Sequence, residues 1–418
     1  MYSRLIKFLD TLKLLYELQF GFRKNHSTCA ALIMLIDKIT TELEKGNFVL
    51  GVFLDYSKAF DCINHDILLK KLEYYGIRGS ALKWFDSYLS QRKQYVSYNG
   101  TQSNFRDVTC GVPQGSILGP VLLFLICIND IVHVSRVLFP ILFADDSNVF
   151  LSGKSPDEMI DIMNTELDRL LIWLQANKLS LNIKKTHFMF FCPPKKKALF
   201  SKSLQILGQT IEQKQETKFL GVMLDSKLTW ASHATYIAKK MAKGIGILSK
   251  AKKYLPKSCL ITLYYSFIYP YLNYCLEVWG KTTDKVLDKI FKVQGRALRI
   301  INTSSRKTAT TLLFDELQIL PLKKIYQYKI ATMMFKFSKN LLPEIFNTIF
   351  QTTNQIHDHW TRQEIHVPNI TKPIRQKTVV YQGPTLHHYF SRRINTNCTI
   401  NTYKKHLRTH LRQNTVNI

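Results

Sequence analysis

The chain has 418 residues, of which 46% are hydrophobic and 21% charged, a composition that excludes a disordered or fibrous protein. At roughly 100–200 residues per domain it has room for two to four domains and a sizeable core. Lysine and arginine number 58 against 30 acids, a formal net charge of +28, so the expected partner is a polyanion, most often nucleic acid.

The longest apolar run, Val121–Ile128, falls far short of the roughly 18 residues that suggest a membrane span. The N-terminus (MYSRLIKFLD) lacks an apolar signal region and a small-residue cleavage site. An intracellular protein of the nucleus or cytoplasm, neither secreted nor membrane-bound, is therefore expected. The eight cysteines form no C-x-x-C pair and suit reduced thiols, with Cys62, Cys110 and Cys127 expected as small buried hydrophobes.

In chain order, Phe48–Leu54 (FVLGVFL) is a continuous apolar run that predicts a buried strand. His65–Tyr75 and Ser80–Leu89 predict two short amphipathic helices separated at Gly76–Gly79. Pro120 opens a helix over 121–128 that Asn129-Asp130 ends. Leu138–Ala144 and Asn148–Leu151 predict a hairpin with Asp145-Asp146 at its turn. Pro156–Gln175 predicts a long helix with Met159, Ile162, Met163, Leu167, Leu170, Leu171 and Leu174 on one side. Pro193–Lys197 predicts a loop. Beyond Asp225 the pattern is helical, with Ile237, Met241, Ile245 and Leu248 at three- and four-residue spacing and lysines between them. No acid occurs between Asp225 and Glu277, and from Thr361 onward ten Lys or Arg face the single acid Glu364. The stretch Thr348–Thr378 is expected as a linker before a basic tail. The tyrosine-rich segment from Tyr264 to Tyr274 suits either base stacking or a helical core with polar tips.

Three carboxylates stand out by position. Asp55 ends the apolar strand and Asp145-Asp146 lie at the hairpin turn. An acid after a buried strand is costly unless it is exposed or bound to a cation. Two strands delivering three acids to one sheet edge would give oxygen ligands for Mg²⁺, and two such ions can drive an in-line phosphoryl displacement. Taken alone, an Asp-Asp pair is far better explained as an ordinary turn.

The segments Phe53-Leu-Asp-Tyr-Ser-Lys-Ala-Phe-Asp61, Gly111-Val-Pro-Gln-Gly-Ser-Ile-Leu-Gly-Pro120 and Phe143-Ala-Asp-Asp146 resemble, in order and spacing, the polymerase motifs of reverse transcriptases. Asn182-Ile-Lys-Lys-Thr186 and Lys218-Phe-Leu-Gly-Val222 extend the likeness downstream, and Gln19-Phe-Gly-Phe-Arg-Lys-Asn-His-Ser-Thr28 resembles the fingers-side motif. Their form resembles non-LTR (LINE-type) retrotransposons, especially jockey-like elements, strongly over residues 19 to about 225 and more weakly to Tyr381-Gln-Gly-Pro384.

The resemblance implies an α+β fold with a right-hand polymerase palm, an antiparallel sheet with packed helices. It implies partial fingers (1–45), a palm (46–228), a helical thumb-like region (229–347), and a linker with a basic C-terminal tail (348–418). It implies an RNA-directed DNA polymerase that takes an RNA template, a DNA primer and dNTPs. The metal-binding aspartates would be Asp55, Asp145 and Asp146, holding two Mg²⁺ ions for which Mn²⁺ can substitute. Lys185 would protonate the departing pyrophosphate. Tyr56, Phe60, Gln114 and Gly115 would line the nucleotide, with Phe60 as the gate against a ribose 2′-hydroxyl. Phe219, Leu220 and Gly221 would form the primer grip, and Lys239, Lys240 and Lys243 would contact the nucleic-acid backbone. Plainer roles stand beside these: Phe60 as a core aromatic, the lysines as a solvated helix face.

Relatives of this kind carry an endonuclease domain and complete fingers ahead of the palm, whereas only 18 residues precede Gln19. His387-His388 stands where relatives often have Trp-Asn. An N-terminally truncated chain is thus expected, and the alternative function is an inactive nucleic-acid-binding relic of such an element.

Overall fold

The computed structural model describes residues 1–113, 115–119, 123–193, 195–352 and 365–414. The chain divides into two compact units: Met1–Ser27 with Asn47–Lys214, and Thr28–Gly46 with Gln215–Ile418. The expected mixture of antiparallel sheet and many helices is observed.

The first unit begins with α1 (Tyr2–Thr11), and the chain then forms α2 (Thr28–Glu44), which belongs to the second unit. Strand β1 (Phe48–Leu54) is followed by α3 (His65–Tyr74), α4 (Ser80–Leu89) and the short strands β2 (Lys93–Gln94), β3 (Ser97–Tyr98), β4 (Thr101–Gln102) and β5 (Arg106–Asp107). Then come α5 (Phe124–Ile128), β6 (Phe139–Phe143), β7 (Asp146–Gly153), α6 (Pro156–Ala176), β8 (His187–Phe191), β9 (Gln205–Ile206), β10 (Gln209–Thr210) and β11 (Glu212–Gln213). The main sheet has the order β11-β8-β1-β7-β6, antiparallel except for the β11–β8 pair. Every residue of β1 is buried, as its unbroken apolar run requires of a central strand covered on both faces.

Helix α6 starts where local chemistry says it should. Ser155 Oγ accepts a hydrogen bond from the Glu158 amide, and Pro156 occupies the first turn, where a missing N–H costs nothing. Its apolar side packs Met159, Met163, Leu167, Leu170, Leu171 and Leu174 into the core. Ile162 does not join them, being 42% exposed while Ile160 is buried in its place. The thiols also differ from expectation: Cys127 is buried, Cys62 is half-buried and Cys110 is exposed. Helix α5 gives way to a 3₁₀ turn over Asn129–His133, and Pro120, Val121 and Leu122 lie outside the described residues.

The second unit contains the hairpin β12 (Glu216–Phe219) and β13 (Val222–Asp225), then α7 (Ala231–Ala251), α8 (Lys257–Phe267), α9 (Tyr269–Asn273), α10 (Leu276–Trp279), α11 (Asp284–Ile301), α12 (Thr310–Glu316) and α13 (Leu322–Ser338). Ile237, Met241, Ile245 and Leu248 form the buried side of α7, as their spacing predicts. Of the tyrosine-rich segment, Tyr264 is fully buried and its hydroxyl accepts from Gln294, while Tyr265, Tyr271 and Tyr274 are exposed. Between Thr348 and Thr378 the described residues include a helical turn, Pro373–Gln376, whose Arg375 pairs with both Asp37 and Glu44 of α2. Helices Val379–Ser391 and Ile400–Gln413 follow, and Tyr403 stacks on Phe335 with ring centroids 4.2 Å apart. Among the described residues, no helix is long and apolar enough to cross a membrane.

Candidate active site

Register brings the acids together. Leu54 pairs with Ser147 across β1 and β7, so Asp55 and Asp146 leave the sheet side by side. Phe143 pairs with Asp146 across the β6–β7 hairpin, which leaves Ala144 and Asp145 as its two-residue turn. Asp146 is exposed at the strand end, yet the surrounding atoms partly desolvate its carboxyl. That partial desolvation, with the neighbouring Asp145 and Asp55 charges, pushes its pKa up to about 6. Among the described residues no group of three or more His, Cys, Asp or Glu side chains is gathered closely enough to hold a metal ion. The three carboxylates instead form an open edge.

The turn after α6 holds Asp55 from the other side. Asn182 N donates to Asp55 O at 2.7 Å, Asp55 N donates to Thr186 Oγ1 at 3.3 Å, and Ser57 N donates to Ser180 O at 2.9 Å. The same turn places Lys185 Nζ 3.8 Å from Asp55 Oδ2. Lys185 is largely exposed and Asp55 half-buried, so this loose, solvent-screened ion pair adds little to stability. Tyr56 is buried with its hydroxyl against Ser147, and burial pushes its pKa up, so it stays protonated. Phe60 is half-buried, its ring 4.6 Å from that of Phe124. Gly115 is exposed at φ +86°, and Gln114 lies outside the described residues.

Two residues of the Gln19–Thr28 segment act on the aspartate turn, a role the sequence did not reveal. The chain at 18–20 lies along β6, with Leu142 N donating to Leu18 O and Phe20 N donating to Leu142 O. Gln19 is buried, and its Oε1 accepts from Gly21 N at 2.8 Å and from Ala144 N at 3.1 Å. Ala144 sits at φ +54°, a conformation that costs an alanine energy and needs such support. Gly21 approaches so closely that a Cβ there would stand 2.2 Å from Ala144 N. Buried Asn129 was also missed. It donates to Leu14 O and Tyr75 Oη and accepts from Tyr16 N, which ties α5 to the chain after α1.

In the second unit, Phe219 is buried, and Leu220 (φ +43°) with Gly221 (φ +81°) forms the two-residue turn between β12 and β13. Positive φ at both turn positions matches the right-handed twist of the strands. The Tyr274 hydroxyl lies 2.8 Å from Leu220 O and 3.1 Å from Thr28 Oγ1. Lys239 and Lys243 are exposed on α7. Lys240 Nζ lies 5.5 Å from the Tyr236 ring centroid, and so does Lys218 Nζ. Met223 N donates to His233 Nδ1 at 3.2 Å, and burial pushes that imidazole down to about 4, so it stays neutral.

Residues 1–224 match the family model for reverse transcriptase (RNA-dependent DNA polymerase). The RNA-directed DNA polymerase from mobile element jockey of Drosophila melanogaster is 29% identical over 316 residues, covering 72% of this chain and 33% of the relative. The probable RNA-directed DNA polymerases from transposon X-element and transposon BS of the same organism are 27% and 26% identical. Each covers 76% of this chain, matched to 35% and 36% of their own lengths. The chain thus spans about a third of the length of these curated relatives. Among solved structures, apo telomerase from Candida tropicalis is 11% identical over 83% of this chain and 59% of that one, with a TM-score of 0.41, a likeness too slight to build on.

Proposed function

The chain belongs to the reverse transcriptase family, and we propose that it works as the polymerase core of a jockey-like non-LTR retrotransposon. In this role it extends a DNA 3′-hydroxyl with dNTPs on an RNA template. The observation that carries the reading is the set Asp55, Asp145 and Asp146 at one sheet end, where partial burial, and then the Asp145 and Asp55 charges, push Asp146 up to about 6. Surplus negative charge at an exposed edge favours a cation. Hard carboxylate oxygens in an open arrangement suit Mg²⁺, which keeps waters and accepts substrate phosphates, and Mn²⁺ can substitute. When bound at Asp55, Asp145 and Asp146, two such ions would activate the attacking hydroxyl and stabilise the leaving oxygen.

The chain's own residues supply the rest. The primer 3′-hydroxyl releases its proton to solvent, its oxygen bonds to the α-phosphorus as the bond from that phosphorus to the α,β-bridging oxygen breaks, and pyrophosphate departs. Lys185, held beside Asp55, gives a proton to that leaving group. Phe60, propped on Phe124, limits the space beside the sugar, while Tyr56 backs the site and Gln114 and Gly115 flank the nucleotide. Phe219, Leu220 and Gly221 hold the primer end, and Lys239, Lys240 and Lys243 meet backbone phosphates. Residues 1–45 serve as partial fingers, 46–228 as palm, 229–347 as thumb and 348–418 as a basic tail. The alternative, an inactive nucleic-acid-binding relic of such an element, is not favoured, given the match to the reverse transcriptase family and to RNA-directed DNA polymerases.

The test is primer extension by the purified chain on an RNA template with dNTPs and Mg²⁺. Wild type should extend the primer, and Asp145→Asn should abolish synthesis while RNA affinity and melting temperature hold. A purified Asp145→Asn protein that keeps more than a few per cent of wild-type synthesis, or an inactive wild type, overturns the proposal.

A further inference from the structure

Residues 92–108 form an arm that the polymerase motifs do not use. Lys93–Gln94 pairs with Arg106–Asp107, Ser97–Tyr98 pairs with Thr101–Gln102, and Asn99-Gly100 makes the tip with φ +47° and +80°. Val108 N donates to Arg92 O at 2.8 Å and closes the base. Residues 91–107 are exposed throughout. A two-stranded hairpin with nothing packed on it is marginal in water, so its side chains are informative. Tyr95 is 46% exposed, Val96 70%, Tyr98 75% and Phe105 64%. Tyr95 and Phe105 meet edge to face across the strands, with centroids 4.9 Å apart. Basic residues accompany them: Arg92, Lys93 and Arg106 against the single acid Asp107.

A ladder of planar groups leads into this arm. Trp84 and Tyr88, one turn apart on α4, stack at 5.5 Å with rings 8° from parallel. The Arg92 guanidinium lies 5.5 Å from the Tyr88 ring, which makes the third plane. Tyr88 Oη lies 3.2 Å from Ser116 Oγ, in the segment that also contains Gln114 and Gly115. The series Trp84–Tyr88–Arg92 therefore runs along α4 into the arm, and its middle member meets the segment proposed to flank the nucleotide.

We infer that the ladder and arm are a track for single-stranded template RNA. The inference rests on the polymerase function proposed above. Flat aromatic faces accept any base by stacking, and interleaved arginine and lysine follow the phosphates, so sequence-tolerant binding to an unpaired strand follows from the pattern. A folded protein partner would be served by apolar side chains alone. The net positive charge favours the polyanion.

The experiment uses the full chain, a fluorescent single-stranded RNA, and primer–templates whose RNA has a 2- or a 20-nucleotide unpaired 5′ extension. Tyr95→Ala/Phe105→Ala should bind single-stranded RNA at least about fivefold more weakly, the lower end for loss of one base stack, with the salt slope unchanged. Arg92→Ala/Lys93→Ala should instead flatten the slope by about one to two units. Both variants should lose synthesis on the long extension more than on the short one. Tyr98→Ser, 75% exposed beside the tip, provides a second variant with little packing to disturb and should likewise weaken RNA binding. If wild type binds RNA but makes no DNA while the arm variants lose RNA affinity, the polymerase proposal falls and the track stands. If wild type polymerises and the arm variants match it in affinity and on both templates, the track is wrong. Photocrosslinks from Tyr95 or Phe105 to a protein rather than to 4-thiouridine in the template overturn it as well.

Discussion

Gln19 Oε1 accepts a hydrogen bond from the Ala144 amide at 3.1 Å, joining two positions 125 residues apart. Through it, a segment near the N-terminus holds the turn that presents Asp145 and Asp146. Replacing Gln19 by leucine keeps the volume and strands two amides, each at about 1–3 kcal/mol. Gln19→Leu should lower the melting temperature and reduce primer extension more than tenfold. Gly21→Ala should do the same through the clash with Ala144. Wild-type melting and synthesis in both variants would show that the turn needs no clamp.

Asp146 carries a linkage sign that can be measured. Its folded value is raised from 3.8 to about 6, so the folded chain keeps a proton that the unfolded chain releases. Between about pH 4 and pH 6 its contribution to stability therefore falls as pH rises. Asp146→Asn should flatten the melting profile over that window. At pH 7.5 without divalent ions it should melt about 1–3 °C higher than wild type. Wild type should gain stability on adding Mg²⁺ and the variant should gain much less. Thermal scans at pH 4 to 8, with and without Mg²⁺, check each point.

Phe60 contacts Phe124 and is only half-buried, so it can both pack and exclude. Phe60→Val should cost about 1–2 kcal/mol in stability and admit ribonucleotides. The rNTP/dNTP ratio of kcat/KM separates the roles: an unchanged ratio in an active, slightly destabilised variant leaves Phe60 as packing alone.

On α7, Lys239→Ala/Lys240→Ala/Lys243→Ala should reduce the slope of log affinity against log salt by roughly two to three units, equally for every RNA sequence tested. Met241→Ala, at a fully buried position, should lower melting temperature first, by about 2–5 kcal/mol in stability. A wild-type slope in the triple variant would mean that this face meets only solvent.

Strand β1 and helix α6 were legible because burial repeats with a simple period or fills an unbroken run, and Ser155-Pro156 marks a helix start. The error at Ile162 came from the same periodicity, which cannot tell the rim of an apolar stripe from its centre. Gln19 and Asn129 were illegible for a different reason. Each acts through hydrogen bonds to distant backbone, and no periodicity records a contact 113 to 125 residues away. The arm carries a local signal of its own: Asn99-Gly100 between Tyr-containing strands is a strong hairpin mark. The acids were legible as a set only through the order of several motifs, because an Asp-Asp pair by itself is common in turns.

Helix α2 carries a cost in time rather than in energy. Eleven of its seventeen residues are buried, and its packing partners include α10 and the helices Pro373–Gln376 and Val379–Ser391. During synthesis those partners emerge more than two hundred residues after Glu44, whereas the sheet of the first unit has all its strands once Gln213 is made. A nascent chain therefore carries a greasy helix with no home while its neighbours on either side can already fold. A fragment cut at residue 224, where the family match ends, would lack those three helical partners. Such a fragment should depend on chaperones or aggregate, although it contains every aspartate of the proposed site.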